Sequence, residues 1–104
     1  MILIQRSLCL TILLSLPFSL HAQEEPPQNA KDLLNKGYAA SQKGLYQDAI
    51  DSYTEAITIF PKYGLAYRLR GDAKRLSKDN EGAISDYSAT INIHPNDATA
   101  YNLR

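Results

Sequence analysis

Over 104 residues, eleven basic and eleven acidic side chains cancel, and the length bounds the chain to a single domain. Without clustered positive charge a nucleic-acid surface is excluded. The one cysteine, Cys9, lies in an apolar leader, so the rest of the chain has neither a disulfide nor a thiolate metal site, and its stability has to come from packing.

Met1 to Ala22 reads as a secretory signal. Arg6 supplies the positive end, Leu8 to Leu16 form an apolar run broken only by Thr11 and Ser15, and Pro17 ends it. Cleavage after Leu20-His21-Ala22 makes Gln23 the first mature residue, with 23–29 a polar, proline-rich linker. The run from Leu8 to Leu20 is about thirteen residues, short of the roughly twenty needed to cross a bilayer, so an uncleaved membrane anchor is the lesser alternative. The expected location is a bacterial periplasm or the medium.

From Ala30 onward the chain repeats every 34 residues. Gly37 recurs as Gly71, Ala49 as Ala83, Ile50 as Ile84, Tyr53 as Tyr87, Ile57 as Ile91 and Pro61 as Pro95. Ala66-Tyr67 and Leu69-Arg70 return as Ala100-Tyr101 and Leu103-Arg104. Residues 30–63 form one unit, 64–97 a second, and 98–104 the start of a third.

Each unit carries two helical patterns. The first helix of unit one is expected to start after Asn29 as N-cap and to bury Leu33, Gly37 and Ala40; Lys43-Gly44 makes the turn. In the second helix Tyr46, Ala49, Ile50, Tyr53, Ala56, Ile57 and Phe60 recur at three- and four-residue steps, one apolar stripe. Asp48, Asp51, Ser52 and Glu55 take the solvent face, and Pro61 stops the helix. Gly37 and Gly71 sit in helix interiors, where glycine costs about 1 kcal/mol relative to alanine; a close approach to Tyr53 and Tyr87 is the reading that justifies them. In unit two Lys78-Asp79-Asn80 makes the turn.

A 34-residue unit in which Gly37, Ala49, Tyr53, Ala56 and Pro61 hold the small, aromatic and helix-ending places resembles the tetratricopeptide repeat. Unit two departs from unit one with Thr90 for Ala56 and Lys74 for Ala40. The resemblance implies an all-α fold, an α-solenoid of tandem helix-turn-helix repeats whose first helices line a concave groove for a partner's peptide. On those helices Leu34, Tyr38 and Ser41 share a face with their counterparts Arg68, Asp72 and Arg75, joined by Lys31 and Leu65. These eight are the candidate partner-binding residues. The plainer reading is that Leu34 and Leu65 pack between units and that Arg68 and Asp72 pair four residues apart. Some family members hold the C-terminal carboxylate of heat-shock chaperones with lysine and asparagine side chains. Leu34, Tyr38, Leu69, Thr99 and Leu103 stand where that clamp needs them, so it is not expected here.

Catalysis is not expected either. Beyond the leader there is one histidine, His94, read as a packing residue at a helix C-terminus, and no phosphate loop, metal-spaced pair or nucleophile motif. No cofactor or metal is called for. The sequence thus points to an exported, non-catalytic protein–protein interaction module, a scaffold or adaptor, with a protein or peptide partner, no nucleic acid and no membrane span after cleavage. Ending seven residues into a third unit, the chain leaves Ala83, Ile84, Tyr87 and Ile91 short of a covering helix. Two expectations follow: self-association through unit two, or an N-terminal repeat fragment of a longer envelope protein with an enzymatic or anchoring domain elsewhere.

Overall fold

A computed structural model describes residues 24–96. The leader and the start of the third unit lie outside the described residues. Four helices follow one another: α1 Gln28–Gln42, α2 Tyr46–Ile59, α3 Gly64–Leu76 and α4 Asn80–Ile93. Each packs against the next along the chain, and α1 also touches α3. The described residues therefore form two stacked helical hairpins with their first helices side by side, an all-α solenoid.

Helix α1 begins earlier than the sequence suggests. Pro27 holds the extended cap position, and its carbonyl accepts from the amides of Ala30 at 3.0 Å and Lys31 at 3.1 Å. Proline supplies the φ that a helix entry needs without giving up a useful amide, so Asn29 is inside the helix and not its cap. The turn after α1 has Gly44 at φ 77°, with the Leu45 amide donating back to the Ala40 carbonyl at 2.9 Å and Gly44 to Ser41 at 2.9 Å. This is the six-to-one and five-to-two closure that a left-handed residue allows. The turn after α3 repeats it, Asp79 to Lys74 at 2.8 Å and Lys78 to Arg75 at 3.0 Å. There Lys78 itself adopts φ 76°, a conformation costing a side-chain-bearing residue about 1–2 kcal/mol. Asp79 offsets part of that cost, its carboxylate accepting from the Gly82 amide at 2.9 Å and capping α4.

The core is built from alanines and tyrosines. Ala30, Leu34, Ala49, Tyr53, Ala56, Tyr63, Ala66 and Ala73 make one buried cluster, with Leu33, Ala40, Tyr46, Ile50, Ile57, Phe60 and Leu69 packed around it. Leu34 takes the central place that Leu33 was expected to hold, and Ser52 is buried at the α2 interface, not on the solvent face. The two helix-interior glycines have the expected cause. A Cβ on Gly37 would stand 2.6 Å from Tyr53 Cε1, and one on Gly71 2.8 Å from Tyr87 Cε1.

Between α3 and α4 lies a buried charge cluster with no counterpart in unit one. Asp86 is 2% exposed and receives both arms of Arg70, Nε to Oδ2 at 2.8 Å and Nη2 to Oδ1 at 2.7 Å. Lys74 Nζ closes on the same carboxylate at 3.1 Å. The third guanidinium nitrogen donates to Thr54 Oγ1 on α2 at 3.1 Å, and the group lies 5.3 Å from the Tyr67 ring. The hydrogen bond to Asp86 holds the Arg70 guanidinium above its ordinary pKa. At the equivalent places unit one has Lys36, Ala40 and Ser52, and there an open cleft of about 540 Å³ remains between α1 and α2. Lys74 is thus no packing fault but the second cation of a buried carboxylate, while Thr90 satisfies its hydroxyl on the Asp86 carbonyl at 3.0 Å.

Two outcomes test this packing. Gly37→Ala gains about 1 kcal/mol of helix propensity but overpacks Tyr53, which costs about 1–3 kcal/mol. Urea unfolding should show a net loss, and combining it with Tyr53→Leu should make the alanine neutral or stabilising. Asp86→Ala should cost about 3 kcal/mol, because it strands two cations. Replacing Asp86, Arg70 and Lys74 together by leucine, methionine and alanine should recover most of that loss in the same assay.

Candidate functional site

The face that carries the candidate residues is built from α1 and α3. Leu65, Arg68, Asp72 and Arg75 follow one another at three- and four-residue steps along one side of α3, as neighbours on a helix surface must. On α1, Tyr38 is half exposed, Ser41 partly buried and Lys31 partly buried. Leu34 is 9% exposed and belongs to the core, so its side chain is not offered to a partner. Lys31 is turned to the N-terminal edge, 3.7 Å from Glu25, a pair so exposed that it contributes little.

The structure brings Asp72 and Arg75 together through the Tyr87 hydroxyl, while Tyr38 stands on α1. The Tyr87 hydroxyl, arriving from α4, donates to Asp72 Oδ1 at 2.5 Å and accepts from Arg75 Nε at 3.4 Å. Asp72 is therefore engaged by a phenol on a neighbouring helix. The i, i+4 ion pair with Arg68 does not form, and no ion pair holds Arg68 among the described residues. Tyr53 lies below the same face. Burial first, then the negative field of Asp72 and the proximity of Tyr38, push its hydroxyl pKa up to about 12. Tyr87 is raised by burial and by its bond to Asp72, with Arg75 opposing.

Tyr53 and Tyr87 are legible as core residues, but the hydroxyl of Tyr87 also reaches Asp72 and Arg75 on the candidate face. The signal was their identity, tyrosine and not phenylalanine, since a buried phenol usually has a partner for its O–H. His94 is exposed and its ring rests against Gly64, leaving no room there for a Cβ, which agrees with a packing role. Among the described residues no group of three or more histidine, cysteine, aspartate or glutamate side chains is placed to hold a metal ion, and no helix is long and apolar enough to cross a membrane.

With this geometry in view, a family model described as a tetratricopeptide repeat matches residues 34–98. The chain is similar to tetratricopeptide repeat protein 36 of Danio rerio, 30% identical over 66 residues, which is 64% of this chain and 35% of that protein. It is similar also to small glutamine-rich tetratricopeptide repeat-containing protein 2 of Saccharomyces cerevisiae, 34% identical over 71 residues, 68% of this chain and 20% of the relative. The Xenopus tropicalis tetratricopeptide repeat protein 36 is 33% identical over 66 residues, 64% of this chain and 33% of its own. The chain spans about a third of the vertebrate relatives and a fifth of the yeast one. All of them are eukaryotic proteins, which points away from a bacterial periplasmic or secreted protein and corrects the expected localisation. That expectation rested on residues 1–22, which lie outside the described residues, and on a remainder of the chain without cysteine.

The pH dependence of stability follows from Tyr53. The folded protein holds this phenol neutral above the ordinary value near 10, so the unfolded chain loses the proton first. The stabilisation is complete below about pH 10 and is lost as the pH rises toward about 12. Absorbance at 295 nm followed with circular dichroism should show buried tyrosine ionising together with loss of helix, and Tyr53→Phe should weaken that coupling, leaving the part due to Tyr87 and Tyr63.

Proposed function

Because the chain belongs to the tetratricopeptide repeat family, whose members typically bind other proteins and do no chemistry, we propose that it is a non-catalytic interaction module holding a partner's peptide in the groove of α1 and α3. The units run from 30 to 63 and from 64 to 97. The observation that carries this reading is the exposed face itself. Tyr38 is 51% exposed on α1, and on α3 the Tyr87 hydroxyl bonds Asp72 and Arg75. Preorganised polar groups next to an exposed aromatic are what a binding surface needs, because the ordering cost is met before the partner arrives.

Within the groove, Tyr38, Ser41, Leu65, Arg68, Asp72 and Arg75 are the contact residues, with Lys31 at its edge and Leu34 as support from beneath. The face lies on the first helices because Ala49, Tyr53 and Ala56 of α2 and Ala83, Tyr87 and Ile91 of α4 are buried. A second reading is association between copies through α4, where Ile84 is 50% exposed; sedimentation equilibrium would show it as a concentration-dependent mass that Ile84→Glu abolishes.

Peptides selected from a random display library on the intact chain provide the test of the groove. Tyr38→Ala and Arg75→Glu should each weaken the selected peptides by about tenfold, roughly 1.4 kcal/mol, with helical content unchanged. Unaltered affinity for both variants would place the binding surface elsewhere.

A further inference from the structure

The open cleft of unit one is where the two units differ most. Lys36 and Ala40 line it from α1, and Asp48, Asp51, Ser52 and Glu55 from α2. At 3.6 residues per turn, positions 36 and 40 stand about half a turn around α1 from Leu34, Tyr38 and Ser41. The cleft and the proposed groove therefore use different sides of that helix.

One repeat later the same places are filled. Arg70 stands for Lys36, Lys74 for Ala40 and Asp86 for Ser52, and Lys74 Nζ reaches the buried carboxylate at 3.1 Å. In unit one the acids are instead spread along α2, at Asp48, Asp51 and Glu55, where α4 has Gly82, Ser85 and Ala89. Three- and four-residue steps put these carboxylates on one side of the helix, around Ser52. The methyl group of Ala40 leaves out the cation that Lys74 supplies in unit two. Lys36 and Lys43 line the same cleft, yet none of the three carboxylates is in an ion pair among the described residues. Asp51 accepts from Gln47 Nε2 at 2.9 Å, and Asp48 lies in the first turn of α2, where the helix end favours an acid.

A second observation is independent of charge. Ser52 is 5% exposed, yet its hydroxyl makes no hydrogen bond among the described residues. Thr54 and Thr58 on the same helix donate to the carbonyls of Ile50 and Thr54. No fully buried polar side-chain atom among the described residues lacks a partner, so the Ser52 hydroxyl opens onto the cleft that it lines. It is an acceptor held ready for a donor that the chain does not supply.

We propose that this cleft takes a lysine side chain of a partner protein, in the place that Lys74 fills in unit two. The stem lies over Ala40, and the ammonium donates to the Ser52 hydroxyl oxygen with Asp51 and Glu55 beside it as opposite charge. Lysine suits the site because a compact head with three donors can pass into a narrow cleft and meet acceptors from several directions. The contact belongs to a second face and does not rest on the groove reading.

The test uses the 104-residue chain and a short helical peptide of alanine and glutamine with one central lysine. In a ¹⁵N-resolved titration this peptide should shift the backbone signals of Ala40, Ser52 and Glu55. A version with norleucine at the lysine keeps the stem, loses the charge and should leave them unmoved. Ala40→Lys supplies the missing cation within the chain and should weaken the lysine peptide by about tenfold, as should Asp51→Asn with Glu55→Gln, with circular dichroism unchanged. Tyr38→Ala in the groove should have no effect on it. Equal binding of the norleucine peptide, or undiminished binding to the Ala40→Lys protein, overturns the proposal. Loss of binding with Tyr38→Ala would place the lysine in the groove and overturns it as well.

Discussion

How closely the two helices of each hairpin can approach decides the rest of the structure. The approach is set by one contact made twice, a tyrosine ring lying on a glycine. At Gly37 and Gly71 the ring edge occupies the space of a missing Cβ, and alanines on the facing helices, Ala49, Ala56 and Ala73 among them, keep the backbones close around it. Glycine in a helix interior is unfavourable by about 1 kcal/mol. The contact repays this because a buried aromatic ring removes 150–250 Å² from water, and at about 25 cal/mol per Å² that is several kcal/mol.

The same contact explains where polar groups appear on the outer side of α3. A ring lying flat across the partner helix carries its hydroxyl through to the far side, where Tyr87 reaches Asp72 and Arg75 and Tyr53 comes under the influence of Asp72 and Tyr38. At Tyr87 the core and this outer face are therefore two ends of one side chain. A change that loosens the hairpin also shifts the polar groups on this face, so under the proposed groove reading stability and recognition are coupled at Tyr87.

The period, the helix pairs, the apolar stripes and the reason for the glycines were readable because each is a local pattern repeated at a fixed offset. What escaped reading was tertiary. Asn29 looked like a cap because its residue type favours that place, but Pro27 set the entry first. Asp86, Arg70 and Lys74 are spread over sixteen residues and two helices, so no spacing rule joined them, and Lys74 read as a departure from the repeat. Arg68 and Asp72 stood at ion-pair spacing, yet Tyr87 offered Asp72 a shorter and better shielded bond than an exposed arginine could.

The two units thus share a frame and differ in how they use polar groups. In unit one small residues at Ala40 and Ser52 leave a cleft open. In unit two the same places hold a carboxylate gripped by two cations. Such a cluster adds little net stability over an apolar filling of similar volume, so energy alone does not account for it. What it does add is geometry. The Arg70 fork fits Asp86 in one orientation only, and its remaining nitrogen then finds Thr54 on α2, a bond that crosses from one hairpin to the other. Apolar surfaces tolerate sliding by a fraction of a turn, whereas a buried fork and its third contact do not. The register of α3 against both neighbours is fixed at Arg70, and with it the line of Leu65, Arg68, Asp72 and Arg75 along one side of α3.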